Sequence, residues 1–100
     1  MPQWIYFLHA PRERFAETIT DEEQAIMGRH ADYLDALLQD GKLLLAGPTL
    51  GPVNTGIAIY DAPDEAAAQA ILDADPSIQA GLMRGELRPF RASFVRGPAD

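Results

Sequence analysis

The chain has 100 residues, of which 47% are hydrophobic, and its formal net charge is −7. A chain of this length forms one domain, and its apolar fraction is large enough to build a core. The acidic balance disfavours binding to nucleic acids and to acidic membrane surfaces, and the absence of cysteine excludes disulfides and thiolate metal sites.

The N-terminal residues 1–4 lack the basic and then apolar pattern of a signal peptide, and no apolar run approaches the length of a membrane span. We therefore expect a cytoplasmic protein.

The first predicted element is a strand at residues 4–8, which are aromatic or aliphatic. A polar connection at residues 9–19 follows and contains Arg12 and Arg14. Long connections in small domains often carry function, so these two arginines are candidates for binding an anionic substrate. Solvated loop charges are the commoner explanation.

A helix is predicted at residues 21–40. Thr20 is a good N-cap, Glu23 completes a capping box, and Gly41 provides a residue that ends a helix cheaply. Apolar positions recur at spacings of three and four and form one stripe. The stripe consists of Ile26, His30, Tyr33, Leu34, Leu37 and Leu38.

His30 lies in the middle of this stripe and is therefore expected to face inward. A buried imidazole needs hydrogen-bond partners, because an unsatisfied buried polar group costs about 1–3 kcal/mol. Periodicity alone leaves two readings open. His30 is either a core histidine bonded to a backbone carbonyl, which is the commoner case, or a functional residue.

Two further strands, at residues 42–46 and 57–60, are joined by a short connection rich in glycine and proline, which predicts an antiparallel hairpin. Gly47 and Pro48 end the first of them, because proline cannot donate to a ladder. These two residues are also candidates for shaping a pocket wall.

A second helix has its body at residues 66–72, with Pro63 predicted at its first position. Asp75 and Pro76 end it, since the residue before a proline is pushed out of the helical region. Residues 76–80 then form a short helical turn.

The last predicted strand spans residues 86–95, with Phe90, Ala92 and Phe94 alternating on one face. We expect the domain to occupy residues 1–96 and residues 97–100 to form a loose tail.

The order of elements is β-α-β-β-α-β, which is the ferredoxin-like α+β plan with an antiparallel sheet and two helices on one face. The other face of such a sheet is left uncovered. Packing two sheets face to face is an economical way to cover it, so we expect a homodimer.

The sequence resembles the YCII-related (YciI-like) proteins, which are small dimeric α/β barrels built on this plan. Four stretches, found in the same order, carry the resemblance. They are residues 20–34, with Thr20-Asp21-Glu22-Glu23 and His30-Ala31-Asp32-Tyr33-Leu34; Gly41 to Pro48; Asp75-Pro76 with Gly81; and Arg88-Pro89-Phe90.

The resemblance implies that His30 and Asp75 form an active-site pair. One branch of the family removes chloride from a chlorinated hydroxyquinol, which implies small aromatic or phenolic substrates. An aspartate before a proline is also the pattern of a helix N-cap, so capping alone could account for Asp75. The two roles can coexist through different carboxylate oxygens.

A His–Asp pair suits acid–base chemistry at neutral pH. Ser77 and Ser93 lie in no nucleophile motif, so elimination, isomerisation or dehalogenation fits better than acyl transfer. We therefore expect a lyase or isomerase that needs no cofactor. The alternative is a module that binds a small ligand without chemistry, or a purely structural dimer.

Substrate-binding candidates are Arg12, Arg14, Tyr33, Gly47 and Pro48. A metal site is conceivable only on His9, His30 and Asp75, and no ligand motif supports it, so no metal is predicted.

Overall fold

The structure is a computed structural model that describes residues 1–97. The predicted tail lies outside the described residues, apart from Gly97. The elements in chain order are β1 (Gln3–His9), α1 (Phe15–Thr18), α2 (Asp21–Gln39), β2 (Leu43–Pro48), β3 (Thr55–Asp61), α3 (Glu65–Asp73), α4 (Pro76–Gln79) and β4 (Arg84–Phe90).

The four strands form one antiparallel sheet in the order β2-β3-β1-β4. Tyr6 of the central strand β1 pairs with Ala58 of β3 on one side and with Leu87 of β4 on the other. This α+β arrangement agrees with the predicted ferredoxin-like plan.

The core lies on one face of this sheet. Every second residue of β1 contributes to it, because side chains alternate between the two faces of a strand. Its buried members are Trp4, Tyr6, Leu8, Leu37, Leu43, Ala58, Tyr60, Ala62, Ala68 and Leu72. Since α2 and α3 both add residues to this cluster, both helices cover the same face, as predicted.

The helix that carries His30 begins where its capping pattern predicts. The Thr20 side chain accepts a hydrogen bond from the Glu23 N–H, and the Glu23 carboxylate accepts one from the Thr20 N–H. Gly41 follows the helix with φ of +77°, the left-handed conformation that favours glycine. These two ends fix the position of His30 along the helix axis.

The start of α3 differs from the prediction. Asp64 is the N-cap, because its side chain accepts a hydrogen bond from the Ala67 N–H at 2.8 Å, and Pro63 precedes the cap. A capping carboxylate stabilises a helix start more directly than the fixed φ of proline does.

The last strand is also shorter than predicted, since β4 ends at Phe90. Its partner β1 begins at Gln3, which pairs with Phe90, so the ladder has no further partner residues. The Ala92 N–H donates instead to the Gln3 side chain, and Phe94 is fully exposed. The prediction that the strand continues to residue 95, with Phe90, Ala92 and Phe94 on one face, is therefore wrong beyond Phe90.

No helix among residues 1–97 is long and apolar enough to cross a membrane.

Candidate active site

Asp75 is a fully buried carboxylate between α3 and α4. Pro76 occupies the first turn of α4 and Asp75 is the N-cap in an extended conformation, which agrees with the sequence pattern. A buried carboxylate must be hydrogen-bonded, because leaving it unpaired costs far more than leaving a neutral group unpaired.

Three side chains and one backbone group donate to this carboxylate. At Oδ1 it accepts hydrogen bonds from the Ser77 N–H (2.9 Å) and hydroxyl (2.8 Å), and at Oδ2 it accepts one from the Tyr6 hydroxyl (2.7 Å). His30 Nδ1 lies 2.9 Å from Oδ1 and 2.8 Å from Oδ2. Asp75 therefore caps α4 and contacts His30 at the same time.

The surroundings of Asp75 favour its ionised form. Burial raises the pKa of this carboxyl, but the hydrogen bonds from His30, Tyr6 and Ser77 outweigh burial and hold the pKa below its usual range. Burial and the neighbouring Asp75 charge raise the pKa of Tyr6, so its hydroxyl keeps the proton that it donates.

The ionised carboxylate determines how the His30 ring is protonated. A carboxylate is an acceptor only, so Nδ1 of His30 must carry the proton that joins the two groups. In the neutral imidazole this leaves Nε2 with a free lone pair. The free lone pair of the neutral His30 ring is therefore on Nε2.

His30 lines a cleft of about 790 Å³ between α2 and the sheet. The imidazole side chain is 14% exposed. No buried side-chain nitrogen or oxygen among residues 1–97 lacks a hydrogen-bond partner, so the unpaired Nε2 must be accessible. The surrounding wall is mainly apolar and includes Leu8, Phe15, Leu34, Leu43, Ala58 and Met83.

The structure separates the predicted substrate-binding residues into two groups. Gly47 and Pro48 line the cleft together with His30. Tyr33 does not line it among the described residues, and its hydroxyl donates to the Ile71 carbonyl at 2.7 Å.

Neither predicted arginine lines the cleft in the described part of the chain. The Arg12 guanidinium forms a two-pronged ion pair with Glu23, with both N–O distances 2.7 Å, and also donates to Thr18. Arg14 pairs with Glu17 at 3.2 Å. Arg12 thus anchors the 9–19 connection to the start of α2.

His9 lies on the other face of the sheet, where its Nε2 is 3.1 Å from Glu86. The structure therefore does not bring His9 together with His30 and Asp75. No cluster of three or more histidine and carboxylate side chains within residues 1–97 has metal-binding geometry.

Comparison with known proteins agrees with this architecture. The sequence pattern of the YCII-related domain matches residues 4–91, which is most of the chain. The chain belongs to the YCII-related family. No curated protein matches it in sequence.

A solved structure with the same fold as this YCII-related domain is 5-chloro-2-hydroxyhydroquinone dehydrochlorinase from Burkholderia phenoliruptrix, in complex with 2,5-dihydroxybenzoquinone. The TM-score is 0.61 and the sequence identity is 21%, over 91% of this chain and 94% of the dehydrochlorinase chain. At this identity the similarity establishes the fold.

Sequence reasoning missed the roles of Tyr6 and Ser77 as partners of Asp75. The serine two residues after an N-cap aspartate is a local signal, because the cap accepts hydrogen bonds from that turn. Tyr6 lies 69 residues from Asp75 and gives no local signal. Its inward position in β1 would have identified it as a core aromatic only.

Asp75→Asn tests the buried carboxylate. The amide nitrogen of asparagine donates hydrogen bonds and accepts none, so the donors on Tyr6 and His30 would share one remaining oxygen with Ser77. We therefore expect the free energy of unfolding to fall by about 1–3 kcal/mol at about pH 7. Urea unfolding of the variant and the wild type measures this difference.

The same difference should shrink on acidification. The pKa of Asp75 is depressed in the folded state, so its contribution is complete above the unfolded pKa of about 3.9 and is lost as the pH falls through the lower folded value. Asp32→Asn, at an exposed position of α2, is the control and should have little effect. A deficit in Asp75→Asn that is equal at about pH 7 and about pH 3 would contradict the assignment.

Proposed function

We propose that this YCII-related domain is a small-molecule enzyme in which His30 and Asp75 act as an acid–base pair. The proposal rests on the different surroundings of the two ring nitrogens of His30. Nδ1 is bonded to a fully buried carboxylate, whereas Nε2 has no hydrogen-bond partner among residues 1–97 and belongs to a residue that lines an apolar cleft. A core histidine has no need of an accessible second nitrogen.

The pair suits transfer of a single proton. Nε2 accepts a proton from a bound ligand, and the Asp75 charge stabilises the imidazolium that forms. The same Nε2 can return the proton to another atom of the ligand. The attraction between imidazolium and carboxylate is stronger beside the mainly apolar wall of the cleft than it would be in bulk water.

The positions of the serines near His30 and Asp75 and after β4 favour elimination, isomerisation or dehydrochlorination over acyl transfer. Ser77 is fully buried and its hydroxyl donates to Asp75, so it is not placed as a nucleophile. Ser93 lies in the exposed segment after β4. The similar dehydrochlorinase fold supports a lyase or isomerase acting on small aromatic or phenolic substrates.

Gly47 and Pro48 would form part of the wall against such a substrate, since they line the cleft beside His30. Roles of Tyr33, Arg12 and Arg14 in substrate binding stay predictions. The two arginines would first have to leave Glu23 and Glu17.

Chloride release from chlorinated phenols and hydroxyquinols is the assay we would use. His30→Ala and Asp75→Asn should lower the rate by about 100-fold or more, because they remove the proton acceptor and its orienting charge. His9→Gln is the matched control, since His9 lies on the opposite face of the sheet, and it should keep the wild-type rate.

Turnover in His30→Ala equal to the wild type would refute the acid–base role. If His30→Gln binds these ligands as tightly as the wild type and the wild type turns none over, the domain is instead a ligand-binding module. If no ligand raises the melting temperature, the structural alternative gains support.

We also propose that two copies of the chain pack through the sheet face that carries no helices. Leu45, Ile59 and Ile5 lie side by side across β2, β3 and β1 on this face. Leu45 is 57% exposed in the single chain. Ile5 is already buried in the single chain, so a second copy would cover mainly Leu45 and Ile59. Leu45 also belongs to the lining of the His30 cleft, so the interface would adjoin the rim of that cleft.

Sedimentation of the wild type should give twice the chain mass of 10.9 kDa. Leu45→Glu should shift the equilibrium to the monomer, because each copy would have to bury a carboxylate in the interface. Val53→Glu, at a similarly exposed position in the loop between β2 and β3, should leave the mass unchanged. A monomeric wild type would refute this assembly.

A further inference from the structure

The 9–19 connection, which the proposed function does not use, forms one side of the His30 cleft. We propose that this connection is a lid that controls access to the cleft, with the Phe15 ring as its inner surface and the Arg12–Glu23 ion pair as its latch. Control of access does not depend on whether His30 acts in catalysis, so it goes beyond the proposed function.

Phe15 is the residue of the connection that is buried in the cleft. Its side chain is only 4% exposed, and it lines the cleft together with Ala16 and Ile19. The facing walls belong to α2 and to the sheet, which are regular elements held by many backbone hydrogen bonds. The wall that Phe15 forms belongs instead to a surface segment with a helix of only four residues.

This short helix, α1, depends on other parts of the domain for its position. Isolated helices of such length are not stable in water. The side chain of its N-cap residue, Arg14, does not bond to its first turn. The Arg14 backbone has φ of +56°, a left-handed conformation that is disfavoured for residues other than glycine. Contacts outside α1 must therefore hold it over the cleft.

One set of contacts joins the connection to the loop between β2 and β3. The Arg14 N–H donates to the Pro52 carbonyl at 2.7 Å, and the Ala16 N–H donates to the Asn54 side-chain oxygen at 3.0 Å. Both acceptors lie in residues 49–54, between the two strands. These hydrogen bonds join one loop to another and do not tie the connection to a helix.

Arg12 supplies the tie to a helix. Its guanidinium donates to both carboxylate oxygens of Glu23 at 2.7 Å, and it also donates to the hydroxyl and the carbonyl of Thr18. The guanidinium carbon lies 5.2 Å from the centre of the Phe15 ring, within the range of a cation–π contact. Arg12 therefore covers the outer side of Phe15 and fastens it to the first turn of α2.

The latch is strong enough to hold the connection and is still able to open. Hydrogen bonds from Arg12 lower the pKa of Glu23 to about 2, so both partners are charged at neutral pH. A two-pronged pair of this geometry is stronger than an ordinary surface ion pair. The two side chains are 38% and 16% exposed, so water can solvate both charges when the pair separates.

An introduced thiol measures access to the cleft, because the chain has no cysteine of its own. Ala58 lines the cleft, pairs with Tyr6 in the sheet and is only 1% exposed. Iodoacetamide should therefore modify Ala58→Cys only when the cleft opens, and the rate of modification reports how often it opens. Mass spectrometry follows the reaction.

Arg12→Met should raise the modification rate of Ala58→Cys by about tenfold, because it removes the four hydrogen bonds of the guanidinium. Glu23→Gln should raise it by about threefold, since the ion pair is lost while an oxygen remains to complete the capping box with Thr20. Glu17→Gln breaks the exposed ion pair with Arg14 in the same connection and is the matched control, with no change expected.

A second thiol separates opening of the lid from general loosening of the domain. Ala68 of α3 is fully buried and lies outside the cleft lining in the described part of the chain. Arg12→Met should leave the modification rate of Ala68→Cys unchanged. Hydrogen exchange of the Ala16 amide needs no cysteine, and it should also be about tenfold faster in Arg12→Met, even if a cysteine variant does not fold.

An unchanged modification rate of Ala58→Cys and an unchanged exchange rate of the Ala16 amide in Arg12→Met would overturn the lid. A rise that Ala68→Cys shares in full would overturn it as well. The catalytic proposal fails separately. Faster opening in Arg12→Met without chloride release by the wild type would uphold the lid and reject dehydrochlorination. Chloride release that depends on His30, with unchanged opening in Arg12→Met, would do the reverse.

Discussion

The hydrogen bond between His30 and Asp75 joins residues that are 45 positions apart, and the site depends on it. A carboxylate that is fully buried is stable only if its oxygens are satisfied. Here the donors come from β1, from α2 and from the first turn of α4. The carboxylate therefore ties three elements together, and their packing in turn holds the imidazole in one orientation.

This arrangement links the fold to the chemistry. Residues of β1 alternate in direction, so the same strand sends Tyr6 towards Asp75 and Ile5 towards the open face of the sheet. The helix-covered face holds the cleft that His30 lines, and the other face holds the row of Leu45, Ile59 and Ile5 that we propose as a dimer interface. In these two proposals, one four-stranded sheet would support both a ligand site and an assembly surface.

Local signals in the sequence were sufficient for the starts of α2 and α4, but not for α1 or for the start of α3. The capping box at Thr20 and Glu23 and the proline after Asp75 act within four residues, and the structure places both helix starts as predicted. The inward position of His30 followed from periodicity. Periodicity did not identify Asp75 as the partner of His30, because an aspartate before a proline also indicates a helix cap. The pairing was predicted from the resemblance to the YCII-related family.

The features that could not be predicted depend on contacts between distant residues. The end of β4 is set by the register with Gln3, which is invisible in the sequence around Phe90. Tyr6 reaches Asp75 only after the sheet has formed. The sequence likewise shows that Arg12 is charged. Its ion pair with Glu23 forms only when the 9–19 connection folds back on α2.

The most direct test of the account is the tautomer of neutral His30, read from the ¹⁵N shifts and long-range couplings of its ring. We predict that Nδ1 carries the proton and that Nε2 is unprotonated, with Asp75→Asn abolishing this preference. His9 provides an internal reference on the other face of the sheet. A His30 ring protonated on Nε2 in the wild type, or a tautomer that Asp75→Asn leaves unchanged, would contradict the claim that the carboxylate orients His30 as a base.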